Sequence, residues 1–167
     1  MPAIGPDGLA LIQQFEGCKL VPYQDSKGIW TIGIGAIRDL NDQPVTANTP
    51  PLTQTQADTL LRRDTARASS AVTRLIAVPL SSHAFDALCC FTYNVGGGAL
   101  QSSTLRQVIN RREEPEEELF TRWDMAGGRH IPGLRRRRLA EYRLFRSPPD
   151  PMPPPPGAPA PGPSLSL

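Results

Sequence analysis

Between residues 16 and 31 the chain places two carboxylic acids and a hydroxyl, Glu16, Asp25 and Thr31, in the pattern E-x8-D-x5-T. Hydrolysis of a glycosidic bond asks for this kind of set. One carboxyl group keeps its proton for the leaving oxygen, and a second stays ionised to hold water or to stabilise developing positive charge on the sugar. The two acids sit in different local settings. Glu16 ends a short apolar stretch just before Gly17. A helix there leaves it among the carbonyls of the last turn, which disfavour the ionised form, and Phe15 and Leu20 add desolvation in the same direction. Asp25 opens Asp25-Ser26-Lys27-Gly28, and Thr31 follows on the returning segment. Taken singly, each has a plain structural reading: a helix-end acid, a turn aspartate whose side chain accepts backbone N–H bonds, a strand threonine. Only the combination points to chemistry.

These residues need a helix and a hairpin to position them, and the local sequence provides both. Asp7 can cap a helix running to Phe15 or Glu16, with Leu9, Ile12 and Phe15 inward and Gly17 as its stop. Tyr23, Ile29, Trp30, Thr31, Ile32 and Ile34 are strand formers on either side of the turn. Gly33 and Gly35 imply a sheet that twists hard or lets another group approach closely. Residues 39–51, with three prolines, read as loop.

The remainder reads as helices. Thr53-x-x-Gln56 is a capping box opening a helix with Ala57, Leu60, Leu61, Ala68, Val72 and Leu75 in the core. Ser81 or Ser82 opens another, with Phe85, Leu88, Cys89 and Phe91 inside, which stops at Asn94-Val95-Gly96-Gly97-Gly98. Ser103 caps a third, Pro115 begins a fourth that buries Leu119, Phe120 and Trp123, and a last one follows Pro132 with Leu134, Leu139 and Phe145. The expected fold class is α+β, mostly α.

Composition narrows the function classes. At 167 residues, 39% hydrophobic, 20% charged and a net charge of +2, the chain suits one ordinary globular domain. Ten of the 19 prolines fall in the last 21 residues, with few large apolar side chains beside them. Residues 1–146 are therefore expected to fold and 147–167 to form a proline-rich disordered tail. No run of 18 apolar residues occurs, so no membrane insertion is expected. The N-terminus lacks a basic start and is a poor signal peptide, which implies folding in the cytoplasm. Cys18, Cys89 and Cys90 show no metal spacing, and His83 and His130 are too few and too separated for a zinc site. No metal and no cofactor are expected. Cys89 and Cys90, within an apolar helical pattern, read as core residues.

Three blocks of sequence carry a likeness to a known family. The first embeds the acids in EG-x-x-L-x-x-Y-x-D-x-x-G-x-x-TIGIG, the second is ALCCFTYNVGGGALQSSTLRQVIN at residues 87–110, and the third is RWDMAGGRHIPGLRRRRLAEYRLF at 122–145. In this order they resemble the phage-type lysozymes, the endolysin muramidases of glycoside hydrolase family 24. The resemblance implies a small lobe bearing the hairpin, packed on a helical lobe, with a cleft between. It implies Glu16 as proton donor, Asp25 as second acid and Thr31 as the hydroxyl that positions water, with Ile37, Tyr93 and Asn94 lining the saccharide cleft. The implied reaction is cleavage of the β-1,4 bond between N-acetylmuramic acid and N-acetylglucosamine in peptidoglycan by a monomer, with inversion. It further implies residence in the host cytoplasm until a separate holin permits release to the cell wall or periplasm.

The likeness has one departure and one ambiguity. Members often carry His directly after the TIG-x-G stretch, paired with an acid on the next helix, and here Ala36 stands there. The expected cost is about 1–3 kcal/mol if nothing compensates. Among Arg135, Arg136, Arg137 and Arg138, at least two should form a solvated basic face, and one should pair with Glu16 as in relatives. Three rivals remain: a nucleic-acid-binding helical domain, on the strength of the arginines; a catalytically inactive peptidoglycan-binding module, on the strength of Ala36; and a lytic transglycosylase, which works with a single acid.

Overall fold

The computed structural model describes residues 2–25 and 27–148. Helix α1 (Pro6–Glu16) leads into an antiparallel hairpin, β1 (Lys19–Gln24) and β2 (Trp30–Gly33), and then a loop to α2 (Gln54–Leu75). Next come α3 (Ser82–Val95), α4 (Gly97–Ser102), α5 (Thr104–Asn110) and α6 (Glu117–Thr121). A second, very short hairpin, β3 (Met125–Ala126) and β4 (Arg129–His130), precedes α7 (Pro132–Arg146). The class is α+β and mostly helical, as expected.

Side-chain caps or a first-turn proline set the starts of α2, α3, α5 and α7. Thr53 and Gln56 form the reciprocal capping box at the start of α2, and Ser81 and Ser103 cap α3 and α5 through their hydroxyls. Each such cap contributes about 1 kcal/mol. Pro132 occupies the first turn of α7, where its missing N–H costs nothing.

Helix α1 departs from expectation. Asp7 lies in its first turn and does not cap it, because Pro6 begins the helix one residue earlier. The amides are satisfied from α3: Asp86 accepts from Gly5 N (2.7 Å) and Gly8 N (3.1 Å). Gly8 itself is needed for this approach, since a Cβ there would fall 3.0 Å from the Asp86 Cβ and closer still to Ile4. The catalytic-candidate helix is thus docked at its N-terminus by a buried side chain 78 residues away.

Two short elements were not legible in the sequence. Gly97 and Gly98 do not extend a loop but begin α4, whose Leu100 is fully buried. Gly127 and Gly128, both at positive φ, turn β3 into β4 where the sequence was read as one block leading to α7. In both cases burial and pairing outweigh the low propensity of glycine.

The helical lobe closes around Val72, Leu88, Phe91, Leu100, Leu105 and Phe120. Phe91 meets Phe120 and Trp123 edge-on at centroid distances of 5.9 and 5.6 Å. Each such pair is worth about 0.5–1.5 kcal/mol beyond its area. A second cluster, Ile12, Ile34, Leu61 and Cys90, joins α1, the segment after β2, α2 and α3. Cys89 and Cys90 are core residues, and burial pushes the Cys89 thiol up to about 12. Ala36 is buried with Ile32, Val45 and Leu60. Apolar packing surrounds it in place of a polar pair.

The first two residues of the expected tail are described. Ser147 closes α7, and the Pro148 carbonyl accepts from His83 Nδ1 at 2.6 Å. Residues 149–167, where the rest of the proline-rich tail was expected, lie outside the described residues.

Candidate active site

Glu16 is the last residue of α1, and three features fix it. Gly17 at φ +65° ends the helix, with its N–H on the Gln13 carbonyl. Gly35, at φ +78°, passes directly over the carboxyl group, where a Cβ would stand 2.9 Å from Glu16 Oε2 and 3.0 Å from Cδ. The close approach read from the glycine spacing is therefore that of Glu16 itself. Finally, Arg137 Nη1 donates to Glu16 Oε1 at 2.5 Å across a separation of 121 residues. The Arg137 side chain is 5% exposed and that of Glu16 19%, so the pair is sheltered on the protein side and open toward the cleft.

Arg137 answers the question left open among the four arginines. Arg135 and Arg136 are exposed and form the solvated face, Arg135 reaching Asp124 at 3.4 Å. Arg138 is completely buried, bonded to Asn94 Oδ1 (3.0 Å) and Glu141 Oε1 (2.9 Å), with its guanidinium 5.1 Å from the Phe91 ring centre. The inward face of α7 thus holds Arg137, Arg138 and Glu141, while Leu134 and Leu139 are only half-buried. Apolar periodicity does not mark that face, because the charges there neutralise one another.

Asp25 is held by its own hairpin. Its Oδ1 accepts from Lys27 N and Ile29 N, both at 2.8 Å, and its backbone N–H bonds the Ile29 carbonyl. Oδ2 takes no hydrogen bond from any described residue. Thr31 is 4% exposed on β2, and its hydroxyl donates to the Ile29 carbonyl at 3.0 Å. Having spent its one O–H, Thr31 can offer only lone pairs to a further partner.

Glu16, Asp25, Thr31, Ile37, Tyr93 and Asn94 all line one hollow of about 450 Å³. An adjoining hollow of about 560 Å³ continues past Phe15 and Arg137 and shares Glu16, Asp25, Lys27 and Asn94. Together they form a cleft between the hairpin and the helical lobe. Ile37 projects into it, 55% exposed. Tyr93 presents its ring there while its hydroxyl donates to the Ile34 carbonyl (2.5 Å), pinning α3 to the hairpin. Burial raises the Tyr93 pKa, and nearby Glu16 raises it further.

Tyr23 belongs to the same cleft, although the sequence offered it only as a strand former. Partial burial, then the charges of Glu16 and Asp25, raise its pKa, so its hydroxyl stays protonated beside both acids. Its place two residues before Asp25 in the first sequence block is the signal that could have identified it, and the hairpin pairs it directly with Thr31. A separate apolar hollow of about 430 Å³ lies near Pro6, Ile76 and Phe85. Its carboxylates are committed, Asp86 to the α1 amides and Asp7 to His83, so it offers no acid pair for hydrolysis. Among the described residues no cluster of His, Cys, Asp and Glu could hold a metal ion. Nor is any described helix long and apolar enough to cross a membrane.

Comparison with known proteins shows the family. Residues 13–141 match the family model described as phage lysozyme. An endolysin of Acyrthosiphon pisum secondary endosymbiont phage 1 is 36% identical over 149 residues, covering 86% of this chain and 98% of the relative. Among solved structures, an endolysin from Escherichia coli O157:H7 phage FAHEc1 superposes with a TM-score of 0.78 at 34% identity, over 87% of this chain and 94% of that one. The muramidase domain of SpmX from Asticaccaulis excentricus superposes with a TM-score of 0.74 at 30% identity, over 89% of this chain and 100% of that one.

Proposed function

The chain belongs to the phage lysozyme family and is a lysozyme-type hydrolase, and on that premise we propose that it is an endolysin that cleaves the β-1,4 bond between N-acetylmuramic acid and N-acetylglucosamine, with Glu16 as the acid. The observation that carries this reading is the convergence of Glu16, Asp25 and Thr31 on one cleft, from a helix end and a hairpin that approach each other only in the folded chain.

In this mechanism Glu16 gives its proton to the glycosidic oxygen as the bond to the muramic-acid C1 breaks. A water on the opposite face of the sugar donates its hydrogens to Asp25 Oδ2 and to the Thr31 hydroxyl oxygen. Both are acceptors by their existing bonds, so the water's lone pair is left facing C1. Attack inverts the anomeric carbon, Asp25 takes the water's proton, and the ionised Glu16 is held by Arg137 until solvent reprotonates it. Ile37, Tyr93 and Asn94 would line the saccharide path, and no cofactor takes part. The substrate would be peptidoglycan, acted on by a monomer, with a separate holin releasing it from the host cytoplasm.

The deciding experiment follows turbidity of permeabilised Gram-negative cells or purified murein with wild type and Glu16→Gln, with mass spectrometry of the products. The variant should lose about 10²–10⁴-fold in rate. Wild-type products should carry reducing, hydrated muramic-acid ends. Anhydro ends would turn the reading to a transglycosylase, and no clearing by folded wild type would turn it to an inactive wall-binding module.

A further inference from the structure

Behind Glu16 lies a second carboxylate that the hydrolytic scheme does not use. Glu141, on α7, is completely buried, and its Oε1 accepts from Arg137 Nε (3.1 Å) and Arg138 Nη2 (2.9 Å). Arg137 therefore bridges two acids, giving Nε to Glu141 and Nη1 to Glu16. We propose that Glu141 is a positioning residue for the acid step: as the standing counter-ion of Arg137, it keeps that guanidinium from stripping the proton from Glu16. The inference rests on the assignment of Glu16 as the acid.

Charge balance carries it. An arginine in a protein is permanently charged, and unshared it would strongly favour ionised Glu16. That would defeat a general acid. With Glu141 ionised, Arg137 keeps a carboxylate partner when Glu16 is protonated, so the acid form does not leave a buried cation unpaired. Two guanidinium donors on one oxygen favour that state. They act against burial, the largest influence on Glu141, which leaves its pKa raised, to about 7, despite the pull of Arg138 and Arg137. For Arg137, burial pulls down, but Glu16 and Glu141 together outweigh it and leave it raised.

The other groups facing the pair are few. From α3, Cys90 and Tyr93 face it, both with thiol or phenol held protonated by burial. From the hairpin, Tyr23 faces Glu16, and Lys27 and Asp25 share its cleft wall. None of these reaches Arg137 with a carboxylate.

Stability does not account for the cluster. Buried ion clusters are often neutral or worse compared with apolar packing of similar volume. This one leaves Arg137 Nη2, Arg138 Nε and Nη1, and Glu141 Oε2 without a protein partner among the described residues.

The test is the pH profile of kcat/KM for murein clearing, with wild type, Glu16→Gln, Glu141→Gln and Glu141→Asp. Glu141→Gln should move the alkaline limb toward acid by about one pH unit, costing about tenfold at a fixed pH on that limb. Glu141→Asp, which keeps the charge, should leave the limb in place even if the plateau falls. A uniform loss with an unmoved limb in Glu141→Gln would show a merely structural role and overturn the proposal. A readout independent of variant folding is carbon-13 titration of glutamate-labelled wild type. Glu141 should be ionised throughout the range in which Glu16 titrates, and a neutral Glu141 there would overturn the proposal. Full activity in Glu16→Gln would instead remove the acid assignment, and the positioning role with it.

Discussion

The two walls of the cleft hold their carboxylates by opposite means. On the hairpin wall, Asp25 is positioned by atoms no more than four residues away, through two amides of its own turn. On the helical wall, Glu16 is positioned by Arg137, 121 residues distant, and by the bare backbone of Gly35. Exposed turn geometry fixes the first, and a buried ionic cluster fixes the second. A locally held group can change its chemistry without disturbing the fold. A group held through a buried charge cannot, because each member is the desolvation remedy of another.

That contrast can be broken from either side. The largest effect should come from Arg137→Met, which leaves Glu16 without its cation and Glu141 with Arg138 alone. Urea unfolding should show a loss of about 3–5 kcal/mol, and a loss below about 1 kcal/mol would mean that the cluster relaxes freely. Asp25→Asn should behave in the opposite way. The amide oxygen still accepts from Lys27 N and Ile29 N, so stability should change by less than about 1 kcal/mol. Murein clearing should nevertheless fall by about 10²-fold or more. An active Asp25→Asn would leave the hairpin wall with a structural role only.

The smallest effect is expected from a second pairing, in which a buried Asp124 meets exposed partners. Asp124 accepts from His130 Nδ1 at 2.6 Å and is met by Arg135, and these hold its pKa below the usual carboxylate range, His130 foremost. A depressed carboxylate contributes stability above its unfolded pKa of about 3.9, and that contribution is lost as pH falls through the folded value. His130→Ala removes the main cause of the depression. Acid unfolding, followed by circular dichroism, should then begin at slightly higher pH, with stability above that range slightly reduced as well. A shift toward lower pH would contradict the pairing.

The same contrast sorts what could be read from sequence. The capping box at Thr53, the serine caps of α3 and α5, the strand formers around the Asp25 turn and the first-turn Pro132 are local chemistry, and each stands where the sequence placed it. Glu16, Asp25 and Thr31 were legible as candidates because their spacing sits on elements of that kind. The cap of α1 was misread as Asp7 because its true acceptor, Asp86, comes from another helix. Helix α4 and the β3–β4 hairpin were missed because glycine-rich segments owe their form there to burial and pairing rather than to propensity.

The sequence by itself determined the residue types able to do the chemistry, the helices and hairpin that carry them, and the family to which the chain belongs. Only the tertiary structure decided that Arg137 and not its neighbours meets Glu16, that Arg138 and Glu141 lie in the core, and that Gly35 covers the acid. The physical reason is range. Caps, turns and strand propensities act over a few residues, whereas desolvated charges act on whatever the fold brings against them. Four successive arginines are alike in sequence until packing gives each a different dielectric and a different partner.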